Sequence, residues 1–273
     1  MDKERTTLKI AYPGVSGAFS HQAAKALFPG EELIPFTTFA EAARAVSEGV
    51  CHKGVLPSEN SYTGEVAEVS EILKKSSLYV NRTLDLTVRH NLLGIPGATL
   101  SGIRQVYSHP QAISQCADWF RGKSIELVAS PNTAIAAKSV AEAGDPAKGA
   151  IASLETAELY GLSLIAENIH TSKSNTTRFI VISRDYTEEG DHFQLLFTVR
   201  NIPGQLAGVL TAVARRGFNM VNIKSHAIEN EPWSYYFHVE LMGNLADPAA
   251  KDMIAEIRDW CLEVKLLGGY YRT

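Results

Sequence analysis

The sequence lacks the features of several large classes of protein. Its three cysteines, Cys51, Cys116 and Cys261, are far apart and form no C-x-x-C pair, so neither a disulfide framework nor a zinc cage is indicated. No apolar run approaches the roughly 18 residues that span a bilayer, and the charged start has no apolar signal segment. The net charge of −4 offers no broad basic surface to nucleic acid. We therefore expect a cytoplasmic protein that binds neither membranes nor nucleic acid.

The motifs of nucleotide and metal enzymes are also missing. Gly122-Lys123-Ser124 resembles the end of a P-loop, but Ala117 stands where the first glycine is required. The chain contains no G-x-G-x-x-G and no H-E-x-x-H, and its eight histidines show no metal-ligand spacing. We therefore expect neither a metal nor a cofactor.

Residues 1–185 alternate short apolar runs with helical patterns, which predicts βαβ units and mainly parallel sheets. Thr38 and Glu41 form a capping box at the start of one helix, and Gly49 lies just past its end. Leu78–Ile95 is too long for one ordinary strand, and Ser172–Ile182 suits a return crossing. Two crossings predict two α/β lobes around a cleft, with lobe one at 1–85 and 176–185 and lobe two at 86–175.

The remaining residues have a different pattern. A polar stretch at 184–191 ends the first unit. Residues 192–273 then read as strand, helix, two strands, helix and a last strand at 262–267, which is the ferredoxin-like βαββαβ order. The sequence therefore predicts an α/β protein with a second, smaller domain.

Three polar clusters each follow a predicted strand. They are PGVSGAFS at 13–20, PSENSYTG at 57–64, and SHPQ at 108–111, which is followed by Gln115. Ligands of open α/β sheets bind at such strand ends, often over helix N-termini. Each cluster also has an ordinary explanation, because Ser20, Asn60 and Ser61 could cap helices and His109 could be a satisfied loop histidine. A fourth polar stretch begins at Ser172 and runs directly into an apolar strand. Arg178 lies at the start of that strand, where it needs an anion or a carboxylate.

In this order the clusters resemble the prephenate dehydratase family. The resemblance covers essentially the whole chain, and it includes the A-S-x-x-x-A-x-x-Y-G run at 152–161 and T-R-F at 177–179. Ser58 departs from it, because the family usually has isoleucine there. The resemblance implies a two-lobed, periplasmic-binding-protein-like catalytic domain. The implied reaction converts prephenate into phenylpyruvate, carbon dioxide and water without a cofactor.

The same resemblance assigns residues to the reaction. Thr177 takes the central role, which we interpret as hydrogen-bond donation to the departing hydroxyl, because a threonine hydroxyl is too weak an acid for full proton transfer. Glu59 is the rival acid, or else it orients Asn60 or pairs with Arg178. Arg178 itself clamps a substrate carboxylate or forms a structural salt bridge, and we favour the second. The substrate-binding residues are Ser20, Ser61, Gly64, Gln111, Gln115, Arg178 and Phe179, and Asn60 joins Thr177 and Glu59 as catalytic.

The βαββαβ unit resembles the ACT domain that this family uses for feedback inhibition by L-phenylalanine. The family's Gly-Ala-Leu appears as Gly204-Gln205-Leu206, and its Glu-Ser-Arg-Pro as Lys224-Ser225-His226-Ala227. The resemblance implies a homodimer or homotetramer. It also implies an effector site made by Gly204, Gln205, Leu206, Ala207, Asn219, Asn222, Ile223, Lys224 and Ser225.

Two other functions remain open at this point. Arogenate dehydratase has the same chemistry with an amino acid as substrate. A non-catalytic sensor of small molecules would also use two lobes, a cleft and an ACT domain.

Overall fold

The computed structural model describes residues 7–171, 175–229 and 231–272. The first part of the chain folds into strands β1 (Lys9–Pro13), β2 (Glu32–Phe36), β3 (Lys53–Asn60), β4 (Gly64–Glu65) and β5 (Tyr79–Thr87), with helices α1 (Phe19–Leu27), α2 (Phe39–Ser47) and α3 (Ala67–Lys75). β1 lies between β2 and β3 and runs parallel to both. The predicted capping box is confirmed, because Thr38 Oγ1 accepts a hydrogen bond from the N–H of Glu41 at 3.1 Å and the Glu41 carboxylate accepts one from the N–H of Thr38 at 3.2 Å.

A second sheet follows with five strands in the order β10-β6-β9-β7-β8. Its elements are β6 (Asn91–Gly94), β7 (Gln105–Ser108), α4 (Pro110–Phe120), β8 (Glu126–Ala129), α5 (Thr133–Ala143), β9 (Lys148–Ala152), α6 (Leu154–Tyr160) and β10 (Ser163–Ala166). α4 covers one face of this sheet, and α5 and α6 cover the other. The chain therefore forms two α/β lobes.

Strand β11 (Thr176–Ser183) returns the chain to the first sheet. It lies between β3 and β5 and runs antiparallel to both. The prediction of mainly parallel sheets is therefore wrong, because the return strand β11 runs against both of its neighbours. β11 is buried on both faces, with Phe179 and Val181 against α1 and with Ile180 and Ile182 in the core beside α2 and α3.

The C-terminal domain has the expected βαββαβ order. Its elements are β12 (His192–Val199), α7 (Gln205–Arg215), β13 (Asn219–Ala227), β14 (Tyr235–Met242), α8 (Pro248–Arg258) and β15 (Cys261–Arg272). One face of this sheet packs on α7 and α8. The other face is continuous with the core of lobe one, where Leu196 and Tyr236 join Leu73.

The last strand is longer than predicted. β15 runs to Arg272, and its end pairs in parallel with β5, joining Tyr271 to Arg82 and Arg272 to Thr83. The sheet of the C-terminal domain and the sheet of lobe one therefore form a single ten-stranded sheet. No helix in the described part of the chain is long and apolar enough to cross a membrane.

Candidate active site

A cleft of about 370 Å³ lies between the lobes. Residues at or beside the N-termini of four helices line it, and they are Ala18, Phe19 and Ser20 of α1, Thr37 and Phe39 of α2, His109 and Gln111 of α4, and Asn132 and Thr133 of α5. The floor is formed by residues of β3, β11 and the crossings between the lobes, which include Asn60, Thr177 and Phe179. All four polar stretches therefore contribute residues to one cavity.

The cleft suits an anion although it has no cationic side chain of the lysine or arginine type among its described lining residues. The first N–H groups of each helix have no partner within the helix, and the helix dipole places about half a positive charge at that end. Ala18 immediately precedes α1 and cannot cap the N–H groups of this helix with a side chain. Convergent helix N-termini are an established way of binding carboxylates and phosphates.

Thr177 and Arg178 point to opposite faces of β11, as neighbouring residues of a strand must. Thr177 and Phe179 line the cleft, whereas Arg178 lines a small cavity on the side of the C-terminal domain. The register pairs Thr177 with Asn60 and Arg178 with Glu59, and a bulge at Ser58 then pairs Phe179 with Pro57. Ser58 lies on the side of Arg178, so its departure from the family pattern lies outside the cleft lining.

Asn60 determines the direction of the Thr177 hydroxyl. The Asn60 Nδ2 group donates to Thr177 Oγ1 at 2.9 Å, and Asn60 Oδ1 accepts from the N–H groups of Tyr62 and Thr63 at 2.9 and 3.2 Å. Thr177 Oγ1 is thus an acceptor toward Asn60. Its own O–H proton is left to donate to a ligand in the cleft.

A chain of amide hydrogen bonds continues from Asn60 into lobe two. Asn60 Nδ2 donates to Asn175 Oδ1 at 2.9 Å, and Asn175 Nδ2 donates to Gln115 Oε1 at 3.0 Å. Gln115 Oε1 also lies 2.8 Å from His90 Nε2. The buried Nε2 group of Gln115 has no hydrogen-bond partner among the described residues, and Gln115 lines the cleft. It is therefore a donor available to a bound ligand.

The histidines of the cleft are neutral near pH 7. Burial lowers the pKa of His90 to about 4, although its hydrogen bond with Gln115 opposes the shift. Burial also lowers the pKa of His109, whose Nδ1 accepts from the N–H of Gln111 at 3.3 Å at the start of α4. His109 is therefore the satisfied histidine that the sequence allowed, and it also lines the cleft.

Arg178 is occupied by protein carboxylates. Its Nε and Nη2 atoms bind Asp85 at 2.8 and 3.0 Å, Nη1 lies 3.3 Å from Glu240 of β14, and Glu59 is 3.9 Å away. The Asp85 hydrogen bonds raise the pKa of Arg178 further above its usual value despite partial burial. The geometry therefore supports the structural salt bridge rather than the carboxylate clamp. It also places Glu59 with Arg178 on the far side of the strand, outside the cleft lining.

The other predicted substrate residues divide into two groups. Ser20, Gln111 and Gln115 line the cleft, whereas Ser61 and Gly64 do not. Ser61 Oγ accepts from the N–H of Thr176 at 3.0 Å and so holds the start of β11. The capping alternatives are wrong, because Ala18 precedes α1 and Val66 precedes α3, and neither helix has a side-chain cap.

The cluster at 13–20 and the A-S-x-x-x-A-x-x-Y-G run at 152–161 lie against each other and hold the lobes together. Gln22 Nε2 donates to Ser153 Oγ at 2.8 Å, Thr156 Oγ1 donates to the carbonyl of Gly17 at 3.0 Å, and Tyr160 donates to the carbonyl of Ser16 at 2.8 Å. The loop before α1 therefore rests on α6. The A-S-x-x-x-A-x-x-Y-G run has a lobe-docking role that its sequence did not reveal.

The predicted effector residues do not form one site within the chain. Gly204 and Ala207 are exposed at the start of α7, whereas Leu206 packs into the core of the C-terminal domain. Strand β13 exposes Asn219, Ile223 and Ser225 on alternate positions. Asn222 and Lys224 point the other way and line the small cavity beside Arg178 together with Gln194, while Gln205 is half-buried on α7.

Sequence reasoning missed His90 and Asn175 as members of the site. Asn175 directly precedes the two threonines of the crossing, and His90 follows β5 in the other crossing. Polar residues in both crossings were the available signal, because a cleft between lobes is lined by the segments that join them.

Comparison with known proteins agrees with this geometry. A family model described as prephenate dehydratase matches residues 10–187, and an ACT domain model matches residues 193–259. Arogenate dehydratase/prephenate dehydratase 1 of Arabidopsis thaliana is 31% identical, and the match covers 98% of this chain and 73% of that protein. A bifunctional N-acyl-homoserine lactone acylase/prephenate dehydratase of Komagataeibacter europaeus is 33% identical over 96% of this chain and 95% of that protein.

A solved structure shows the same likeness. The prephenate dehydratase of Arthrobacter aurescens, in complex with L-Phe, superposes with a TM-score of 0.88 at 26% identity, covering 97% of this chain and 90% of the other. The two lobes and the C-terminal domain are therefore arranged in this chain as they are in that protein.

Proposed function

Because the chain belongs to the prephenate dehydratase family, we propose that it converts prephenate into phenylpyruvate, carbon dioxide and water in the biosynthesis of L-phenylalanine. The observation that supports this most is the cleft itself. It combines the N-termini of four helices with a threonine hydroxyl directed by Asn60. This arrangement suits a dianion that must lose a hydroxyl group.

The reaction breaks two bonds and consumes one proton. Carbon dioxide leaves C1, and the electron pair of the broken C–C bond enters the ring. The C4–O bond then breaks as the ring becomes aromatic. The departing hydroxide takes up a proton and becomes water. Thr177 donates a hydrogen bond to this oxygen as its negative charge develops, which stabilises the transition state more than the ground state.

The cleft supplies the remaining contacts without a cofactor in the proposed mechanism. The uncapped N-terminus of α1 and the Nε2 group of Gln115 offer donors for the carboxylates of the substrate. Phe179 and Phe19 offer apolar surface to the ring. The Nε2 group of Gln111, a residue of the cleft lining, donates to Thr63 Oγ1 at 3.2 Å and so joins lobe two to lobe one.

We propose prephenate rather than arogenate as the preferred substrate. Arogenate has an ammonium group where prephenate has a keto oxygen, and an ammonium group in a cleft needs a carboxylate partner. No aspartate or glutamate is among the described residues that line this cleft. The test is kcat/KM for each substrate with the purified full chain. A higher value for prephenate is expected, and a higher value for arogenate would contradict the assignment.

Glu59 is not expected to act as the acid. Glu59→Gln should leave the pH dependence of kcat unchanged and lower kcat by no more than about threefold, because the side chain lies on the Arg178 face and not in the cleft. The measurement is a pH–rate profile of both proteins. Loss of one limb of the profile in the variant would show that Glu59 titrates in the reaction.

We also propose that L-phenylalanine inhibits the enzyme through the C-terminal domain. Support comes from the ACT domain match and from the structure of the Arthrobacter aurescens protein with L-Phe. Glu240 of β14 pairs with Arg178, the neighbour of Thr177. A movement of the C-terminal sheet that shifts Glu240 would therefore reach the catalytic strand directly.

Glu240→Gln should weaken this coupling. We expect basal kcat to stay within about threefold while the inhibition by L-phenylalanine weakens at least about fivefold, a typical coupling magnitude. Dose–response curves for inhibition provide the measurement. Glu256→Gln is the matched control, since Glu256 also pairs with arginine at 3.2 Å but on the surface of the C-terminal domain. Equal inhibition of both variants and wild type would exclude the Glu240 route.

The assembly is inferred from the same resemblance, and the location from the three separate free cysteines. We propose a homodimer or homotetramer in the cytoplasm, formed through C-terminal domains. Support comes from the exposed apolar side chains of that domain, with Ile202 54% and Leu262 63% exposed. Sedimentation velocity should give at least twice the mass of one chain, and a monomer at micromolar concentration would contradict this.

A further inference from the structure

Three side chains with metal-binding atoms converge where the C-terminal domain meets lobe one. Glu65 belongs to β4 of lobe one, whereas His226 and His238 belong to β13 and β14. One oxygen or nitrogen of each lies within 4.8 Å of the others, and each side chain is only 13% exposed. His226 stands where the resembling motif has arginine.

The Glu65 carboxylate contacts both histidines, through one oxygen each. Glu65 Oε2 lies 3.2 Å from His226 Nε2, and Glu65 Oε1 lies 3.1 Å from His238 Nδ1. Ligand atoms of a tetrahedral zinc ion lie about 3.3 Å apart, because each bond is about 2.0–2.1 Å long. Glu65 Oε2 and His226 Nε2 are fully enclosed, and their mutual geometry does not make a hydrogen bond. A metal ion would bond both atoms at once.

A network of hydrogen bonds orients His238 as a metal ligand. Tyr270 donates to Glu240 Oε1 at 2.7 Å, so its oxygen accepts from Gln194 Nε2 at 2.8 Å. Gln194 Oε1 is then the acceptor that lies 3.1 Å from His238 Nε2, which therefore bears the proton. His238 Nδ1, which lies 3.1 Å from Glu65 Oε1 and 3.2 Å from the Ser70 hydroxyl, then carries the lone pair that a metal ion would take. Metal-binding histidines are usually oriented in this way, by a hydrogen bond from the second ring nitrogen.

The charges around the site favour a cation. The adjoining small cavity is lined by three carboxylates, of Glu59, Glu65 and Glu240, and by two cationic side chains, of Arg178 and Lys224. An added divalent ion would therefore meet an excess of negative charge.

We propose that Glu65, His226 and His238 bind a divalent transition-metal ion of the zinc class, which links the C-terminal domain to lobe one. Two imidazoles and one carboxylate suit zinc, cobalt or nickel better than magnesium or calcium, which prefer sites made of oxygen. Because Glu65 follows the turn that begins at Asn60, the ion ties the C-terminal sheet to the strand that positions Thr177. The site is separate from the cleft, and its existence does not depend on the proposed reaction.

The experiment is metal binding by the full chain after treatment with a chelator. Zn²⁺ is titrated calorimetrically, and Co²⁺ is used as a probe because its visible absorption reports coordination by nitrogen and oxygen. We expect one ion per chain and a rise in the thermal midpoint on binding. His226→Gln and Glu65→Gln should each weaken binding at least about tenfold and abolish that rise.

His52→Gln is the matched control, since His52 is exposed on lobe one, away from the proposed site, and this variant should bind as wild type does. Two variants keep the test valid if one folds poorly, and circular dichroism identifies such a failure. Absence of one-to-one binding by the wild-type chain would overturn the proposal. So would binding that survives in His226→Gln and Glu65→Gln, or that is lost equally in His52→Gln.

Discussion

Thr177→Ala is expected to lower kcat for prephenate by about 10²–10³-fold, the usual effect of removing one donor to a developing oxyanion. KM should change little, because the hydroxyl acts on the departing oxygen and contributes little to ground-state binding. The fold should be retained, since Thr177 is not part of an apolar core and Asn60 keeps its bonds to Asn175 and to the turn. Steady-state kinetics on the purified variant test this result.

Thr177→Ser is the matched control for this prediction. Serine keeps the hydroxyl and its bond from Asn60 while it removes only a methyl group, so kcat should stay within about tenfold of wild type. Thr176→Ala tests the neighbouring threonine of the same strand, whose side chain is not among the cleft-lining residues, and it should be nearly neutral. An active Thr177→Ala protein would show that another group assists the departing hydroxide.

Asn60→Asp is expected to lower kcat by a similar factor for a different reason. The two side chains have the same shape, but a carboxylate accepts hydrogen bonds and cannot donate them. Thr177 would then donate its proton to this carboxylate rather than to the substrate. The new charge also lies beside a cleft built for a dianion.

The same change should reduce stability. Asn175 Oδ1 and the Thr176 carbonyl both accept from Asn60 Nδ2, at 2.9 and 3.3 Å, and would instead face a carboxylate. A loss of about 1–3 kcal/mol in the free energy of unfolding is expected, which denaturant titration measures. Asn81→Asp is the control, because Asn81 Nδ2 also donates to a carbonyl, that of Asp185, but outside the cleft. That variant should lose stability while retaining kcat.

Much of the site could be predicted because it depends on local rules. The polar clusters at 13–20 and 108–111 predicted helix N-termini directly after apolar strands, and α1 and α4 do begin there, whereas the cluster at 57–64 forms the end of β3 and the turn to β4. The long segment at 78–95 predicted a crossing between lobes, and β5 and β6 belong to different sheets. These features need only periodicity and the chemistry of strand ends.

Other features depend on contacts between distant parts of the chain. The period of a strand places Thr177 and Arg178 on opposite faces, but it does not determine which face meets the cleft. That choice follows from the pairing of Arg178 with Asp85 and Glu240, two residues far away in sequence. The approach of His226 and His238 has the same origin, because only the register of β13 on β14 brings them together. The parallel contact between β15 and β5 likewise has no local signal.

The most direct test is the rate at which the purified full chain forms phenylpyruvate from prephenate without an added cofactor, followed by ultraviolet absorbance. We predict steady turnover by wild type, a decrease of about 10²–10³-fold in Thr177→Ala, and near-normal turnover in Thr177→Ser. A folded wild-type protein that binds prephenate without turning it over would contradict the account. It would favour a non-catalytic sensor of small molecules.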